Sequence, residues 1–570
     1  MRALFVATLL TACAGQSRQP GDPLLWCPGD PSGVCDTVRK PEPLQAGAAQ
    51  VSIVPECFET WTDADGNAEY SRSKDTFFDC GCDRLCPDDP DYTGPDEGEG
   101  DETFQAIWIA GFQQSRAALG VRPPDVGLID SDGLYLQALV LKQDDTSMAL
   151  ITVDAFGIMN GDVLAIRQAV AAAGLDIDHV IVNSSHSHAT PDSLGIYGPT
   201  LTKSGYDARY FAQVRQAAVQ AVQAASAELQ PVVLTTSRVD LPAVHPDKGI
   251  TNFITDTRDP WIIDRWLNVM HVADGSGDTV ATLVHWGNHP EAAGSGHAYL
   301  SADFVAGVRH AVGKGWSWES RSVQGVGGVT MYVQGMVGGM MTPLRIEHVD
   351  WDGTRRRTSS FAKADALGLQ LGALVVDSLA DGTVADAPQL AFRQQTMELP
   401  IDNFAFQAMF LLGTLSRETH GWNNDLAMTD DNRPFVMSEV GTLQIGPVHM
   451  LTLPGEVLPE LVIGGYDGSQ VHFDGRGVVT DDNPNPPPLD DAPAGPYLQD
   501  RMQGEHRWVL GLTNDQVGYI VPTYNFQIDE RAPYIDDAPG DHYEETNSLG
   551  PNTAQRVEAT AIQILEWRPR

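Results

Sequence analysis

Beyond Cys86 the chain has no cysteine: all seven lie before residue 90 of a 570-residue sequence. No disulfide framework or thiolate metal site can therefore extend into the large remainder. Basic residues are scarce, with 36 Lys and Arg against 76 Asp and Glu and a formal charge of −40. That balance argues against a nucleic-acid partner, because a phosphate backbone is met by basic patches. No apolar run reaches the length needed to span a bilayer. The Gly-x-Ser-x-Gly elbow of serine-triad hydrolases is missing, as are a P-loop and the dense Asp/His cluster of a two-metal phosphatase. No internal repeat is visible.

What is present begins with an export signal. Met1-Arg2 is followed by the apolar run Ala3 to Leu10 and then by Leu10-Thr11-Ala12-Cys13, one positive charge, a short greasy stretch and small residues before a cut. The ending resembles the bacterial lipobox, in which the cysteine becomes a lipidated first residue; an ordinary secretory signal is the alternative. The reading is a signal peptide over 1–12, lipidation at Cys13, a Pro/Gly/Asp/Ser-rich tether over 13–45, and localisation at the bacterial cell envelope, at the outer membrane or cell surface. Setting Cys13 aside leaves Cys27, Cys35, Cys57, Cys80, Cys82 and Cys86. An even set in an exported segment reads as up to three disulfides of unassigned pairing, with a zinc site at Cys80, Cys82 and Cys86 as the competing reading. The stretch 57–103 is an acidic, cysteine-bearing insert. Within it Asp63-Ala64-Asp65-Gly66-Asn67-Ala68-Glu69 faintly resembles a calcium loop, making Ca2+ a second candidate ion, although the twelve-residue spacing is incomplete.

From about Phe104 the pattern alternates between strands and helices. Strands are expected at Leu136–Leu141, Ala149–Val153, His179–Asn183, Thr279–Trp286, Val329–Gln334 and Leu443–Leu453. Helices are expected at Val163–Ala173, Tyr206–Leu229, Ser301–Val312 with Ser301 as N-cap, and Thr553–Trp567. Candidate ligands are spread from 186 to 519, so residues 46–570 read as one α/β domain: a large multi-stranded sheet with helices on its faces, plus the disulfide-bearing acidic insert. Asp481 to Pro496 is a proline-rich surface loop.

Several expected strands run directly into polar loops, at the sheet edge where α/β folds place their chemistry. Ser185-His186-Ser187-His188-Ala189-Thr190-Pro191 follows one; residues i and i+2 of an extended segment share a face, so His186 and His188 point together. Asn288-His289-Pro290-Glu291 follows another. Pro454-Gly455-Glu456 can aim a carboxylate out of its strand, and Asn514 to Tyr519 adds a phenol. Neutral imidazole and carboxylate are good zinc ligands. Gln334 to Pro343 holds three glycines whose bare backbone can approach a ligand, with the Thr342 hydroxyl beside them.

These motifs resemble the neutral/alkaline, non-lysosomal ceramidases. His186 to Pro191 is similar to that family's Thr-His-Thr-His-Ser-Gly-Pro, and His289 through Ser301-Ala302-Asp303 to its second histidine and later Ser-Ser-Asp. Gly339 to Pro343 is similar to Gly-Asp-Val-Ser-Pro, and Pro454-Gly455-Glu456 to Pro-Gly-Glu. Asn514 to Tyr519 resembles its Asn-x-Tyr, and Tyr543 to Pro551 its late Tyr-Glu-Gly-Gly-Ser-Thr-Leu-Tyr-Gly-Pro. The matches keep the family's order over roughly residues 46–567. The resemblance implies a zinc-dependent amidohydrolase that cleaves the N-acyl bond of ceramide or a related lipid amide. It implies zinc on His186, His289, Glu456 and Tyr519, with His188 beside the metal to stabilise the developing oxyanion and Thr342 in the place of the active-site serine.

The chain also departs from the family. Thr342 replaces the serine, Met340 the aspartate two places earlier and Leu344 the asparagine after Ser-Pro. The stretch that would carry the family's arginine, Ile250-Thr251-Asn252-Phe253, has none, and the C-terminal immunoglobulin-like domain is not present in these residues. The departures leave two further readings open: a zinc esterase or amidase on a non-ceramide substrate, and a surface lipoprotein that only binds a ligand or calcium.

Overall fold

The structure is a computed structural model that describes residues 24–26 and 42–566, apart from 131, 132, 386, 387, 416, 424, 428, 468 and 470–474. Cys13, Cys27 and Cys35, with the signal peptide and most of the tether, lie outside the described residues.

The main sheet contains β1 (Gln45–Ser52), β2 (Tyr135–Gln143), β3 (Thr146–Val153), β4 (His179–Ser184), β5 (Gln230–Asp240), β6 (Trp266–Asp274), β7 (Thr279–Trp286) and β8 (Val329–Gln334) in the order β8-β7-β6-β5-β1-β2-β3-β4. Both outer pairs, β3/β4 and β7/β8, are parallel, whereas the interior pairs are antiparallel. Helices α1 (Asn160–Ala172), α2 (Ala208–Ala227), α3 (Phe304–Lys314) and α4 (Phe361–Ser378) cover one face.

Strand alternation decides which residue meets which layer. Leu136, Ala138 and Val140 of β2, with Val180 and Val182 of β4, face the helices. Leu139, Leu141 and Ile181 face the other way, into a second apolar layer shared with Leu390, Phe392, Leu443, Ile445, Met450 and Trp508. Those residues belong to a second, smaller sheet that includes β9 (Leu390–Pro400), β10 (Phe435–Ile445) and β11 (Val448–Thr452). Its outer face carries the C-terminal helix Thr553–Leu565 through Val557, Ala561 and Ile564. The layers are thus helix, sheet, sheet, helix. The expected α/β sheet with helices is present, and the second sheet is an addition to it. Both faces of β2–β4 are buried, so their near-continuous apolar runs carried no sign of which cover was helical.

Two local expectations need correction. Leu443 to Leu453 is not one strand, because Gly446, at φ +56°, and Pro447 turn the chain between β10 and β11. The N-cap of α3 is Asp303, whose Oδ1 accepts the Phe304 N–H at 2.7 Å, while Ser301 Oγ accepts the Asp303 N–H at 3.0 Å. Asp303 sits at φ +55° and ψ −139°, outside the left-handed helical well and strained for a residue with a side chain.

In the acidic insert, Cys57 pairs with Cys82 and Cys80 with Cys86. With these four sulfurs in disulfides, none is left as a thiolate ligand for zinc. Buried Glu59 accepts the N–H groups of Gly81 and Gln105, and Trp61, Tyr70, Phe77 and Phe104 pack the insert down. Among the described residues no helix is long and apolar enough to cross a membrane.

Candidate metal centre

The site forms where the two ends of the main sheet come together. β4 and β8 stand at opposite ends of the strand order, yet Gln334 N–H donates to Asn183 Oδ1 at 2.8 Å. Gln334 then holds both histidine loops. Its Nε2 donates to Ser185 O (2.8 Å) and Asn288 O (2.9 Å), and its Oε1 accepts the N–H of Asn288 (3.2 Å) and Gly335 (3.2 Å).

After β4 the backbone enters the left-handed region at His186, φ +68°. That strained turn aims the imidazole inward, with the backbone N–H of His186 on Ala155 O and the ring Nδ1 2.5 Å from Phe156 O. His289, after β7, has Nδ1 2.6 Å from Met341 O. Each Nδ1 must carry its proton to meet a carbonyl, so each Nε2 presents a lone pair to the centre. Both Nε2 atoms lie 3.3 Å from the same oxygen, Glu456 Oε2. Glu456 opens β12 (Glu456–Val457), which pairs in parallel with β13 (Tyr519–Ile520) so that Glu456 lies opposite Tyr519. The Tyr519 phenol lies beside the Glu456 carboxylate, and Gln516 Nε2 donates to Glu456 Oε1 at 2.8 Å.

His188 stands beside this group, its ring centroid 5.1 Å from that of His186 and 5.4 Å from that of His289. One ring nitrogen from each of the three histidines lies within 4.8 Å of the others. Neither nitrogen of buried His188 has a hydrogen-bond partner among the described residues. Glu291 Oε2 lies 3.3 Å from His188 Nδ1, off hydrogen-bond alignment.

This donor set fits a divalent cation. Two imidazole lone pairs facing one carboxylate oxygen repel one another unless positive charge lies between them, and a third imidazole without a hydrogen-bond partner among the described residues stands beside them. The electrostatics agree. Burial opposes ionisation of Glu456, but positive charge on the His186 and His289 rings, the part a bound cation takes over when both are neutral ligands, outweighs it and holds the carboxyl well below its usual range. Burial also holds His188 well below the ordinary histidine value, with His186 and His289 adding to the shift. It pushes the Tyr519 phenol well up, helped by the Glu456 charge, and raises Glu291.

Of the residues singled out in the sequence, His186, His188, His289, Glu456 and Tyr519 all line one cavity of about 310 Å3. Thr342 does not line it; its buried hydroxyl accepts the Leu344 N–H at 2.9 Å and lies beside the Glu291 carboxyl, which it helps hold down. The 250–253 stretch buttresses the His289 loop, since Phe253 O accepts from Asn288 Nδ2 at 3.2 Å. The arginine facing the cavity is Arg417, braced by Asp515 at 2.6 Å. At the calcium-loop candidate, Asp63 accepts three backbone N–H groups, Asp75 two, and Lys74 Nζ sits 2.7 Å from Asp65. One carboxylate oxygen from each of Asp63, Asp65 and Asp75 nonetheless lies within 4.8 Å of the others, so the three acids are gathered at one point.

Three contributors carried no assigned role. Glu291 lies two places after His289, and the i, i+2 logic applied to His186 and His188 would have found it. Gln516 lies within the Asn514–Tyr519 segment. Arg116 gave no signal: buried and held by the carbonyls of Ala110, His188 and His297 at 3.1–3.3 Å, it pins the His188 backbone.

Behind the centre, α6 (Glu460–Ile463) buries Glu460 completely, and its Oε1 has no hydrogen-bond partner among the described residues. Burial raises this carboxyl to about 7. A raised folded-state value means the native chain holds its proton where the unfolded chain has lost it, so stability falls as pH climbs from about 4.5 through 7. Glu460→Gln is expected to remove that slope, adding roughly 1–3 kcal/mol at pH 8 and little at pH 5. Urea melts at both pH values measure it; equal gains at both would sink the assignment.

No protein-family model matches the chain, and no curated protein is similar to it at the level of sequence. Its fold is similar to that of a neutral ceramidase from Pseudomonas aeruginosa, with 12% identity over 92% of this chain and 75% of that one and a TM-score of 0.54. A ceramidase structure complexed with C2 matches over the same shares, with 12% identity and a TM-score of 0.55. At that identity the likeness shows a shared fold.

Proposed function

We propose that the chain is a zinc-dependent hydrolase of the neutral ceramidase type, cleaving the N-acyl amide of ceramide or a related lipid amide to a fatty acid and an amine. One observation carries the reading: two oriented imidazoles, a carboxylate and a phenol converge at an apolar cavity in this fold. His186, His289, Glu456 and Tyr519 would hold the metal. Bound zinc supplies Lewis acidity and lowers the pKa of a coordinated water.

The chain's own residues do the rest. His188 offers a ring nitrogen to the scissile carbonyl oxygen, where a donor gains most as negative charge develops. Glu291 steadies that imidazole, and Thr342 steadies Glu291 instead of touching substrate. Phe112, Phe156, Met159, Leu194, Phe406 and Phe410 line the cavity and accept an acyl chain. A volume near 310 Å3 suits part of an amphiphile better than a bulky polar substrate. The lipid at Cys13 would hold the enzyme at the cell envelope, near such substrates.

A fluorogenic N-acyl sphingosine should be turned over by the purified chain and not by His186→Ala. Turnover that survives this change removes the site from the reaction. Hydrolysis of simple esters but not lipid amides would replace ceramide with another substrate class.

A further inference from the structure

Helix α5 (Phe404–Leu411) reads Phe-Ala-Phe-Gln-Ala-Met-Phe-Leu and continues into Leu412, so Gln407 is its one polar side chain. None of its residues is fully buried. A soluble helix normally turns charged residues outward. Here Phe404, Ala408, Leu411 and Leu412, spaced i, i+4, i+7 and i+8, form the exposed stripe, with Phe404 45%, Leu411 55% and Leu412 62% exposed. The opposite side holds Phe406, Met409 and Phe410, packed against Ala110, Phe156, Met159 and Leu194. Phe406 and Phe410 also line the cavity of the metal centre, whose lining includes Tyr543, itself 40% exposed at the mouth.

The helix is held rather than frayed. Asn403 caps it by accepting the N–H groups of Ala405 and Phe406, and donates to the carbonyls of Thr546 and Ser548 at and just past the end of the short helix Tyr543–Thr546. The nearby charge on Asp402 is paired with Arg433 at 2.5 Å. One fixed, uncharged helix therefore carries apolar surface from the outside of the protein into the cavity wall.

The geometry points to α5 as a docking helix for the surface of a lipid bilayer, set so that an amphiphile can pass from the lipid into the cavity without crossing water. The inference rests on the lipid-amide reading for its purpose, but not for its test. An exposed apolar stripe is costly unless something covers it. Continuity with an apolar cavity favours a lipid phase over a protein partner, since a protein seated on α5 would close the mouth that the stripe leads to. The lipid proposed at Cys13 would bring that phase within range. From Cys13 the chain runs eleven residues, at most about 40 Å, to Leu24–Trp26, which pairs with β9, against a radius of gyration of about 24 Å for a domain of this size. The formal charge of −40 selects a zwitterionic surface over an anionic one.

The test uses the full chain carrying Cys13→Ser, so that no anchor can hold it, and flotation with phosphatidylcholine vesicles. That protein is expected to float. Adding Phe404→Gln, Leu411→Gln and Leu412→Gln, all exposed positions outside the cavity lining, is expected to cut the bound fraction at least tenfold. The melting curve and the rate on a water-soluble short-chain N-acyl amide should not change. Equal flotation of the two proteins, or none by either, overturns the proposal. So does a dimer, seen by sedimentation, that the three changes dissociate, because the stripe would then be covered by a second copy. Flotation lost on substitution, with no amide hydrolysis by either protein, would keep the docking helix and discard the hydrolase reading.

Discussion

Glu456→Gln is expected to release the bound metal and to lower kcat/KM by on the order of 10³ or more. The amide keeps the size of the carboxylate and its bond from Gln516, so packing at this buried position should survive. What it removes is the negative charge that both imidazole lone pairs face at 3.3 Å. Without that charge a dication is held by neutral donors and a phenol whose pKa burial has pushed well up. Metal affinity should fall by about 100-fold or more. Metal content after dialysis and hydrolysis of an N-acyl sphingosine measure the two effects together. Retained metal with lost activity would move Glu456 from ligand to substrate contact.

Gln334→Leu should be the most destabilising single change near the site. Leucine cannot replace the side chain's bonds to Ser185 O, Asn288 O, Asn288 N–H and Gly335 N–H, and all of these groups are buried. A buried donor or acceptor left unmade costs roughly 1–3 kcal/mol, so a loss of about 3–5 kcal/mol is expected after partial relaxation. The two histidine loops share this one amide, so metal affinity should fall about 10- to 100-fold with no ligand touched. Urea denaturation and metal titration check both numbers. Destabilisation below about 1 kcal/mol would mean that the sheet ends meet through Asn183 alone.

The sequence was most readable where function is local to a strand end. His186 and His188 follow β4, His289 follows β7, and Glu456 follows a Pro-Gly turn; alternation and turn chemistry suffice to notice each. Tyr519 needed its partner, because only the pairing of β12 with β13 sets it opposite Glu456. The less readable parts depend on distant contacts. Arg116 gains its role by joining carbonyls at positions 110, 188 and 297. Thr342 carries a hydroxyl that the motif assigns to chemistry, while the fold turns it onto Glu291. The second sheet was hidden for the same reason: Leu139 and Ala138 are equally apolar, and nothing in either tells which faces helix and which faces sheet.

The central claim is that hydrolysis depends on one metal held by His186, His289, Glu456 and Tyr519. The most direct measurement strips the purified chain with a chelator, removes the chelator, and titrates zinc back while following hydrolysis of an N-acyl sphingosine. The stripped protein is expected to show no turnover, with recovery that saturates at one zinc per chain. Full turnover by folded, metal-free protein would contradict it.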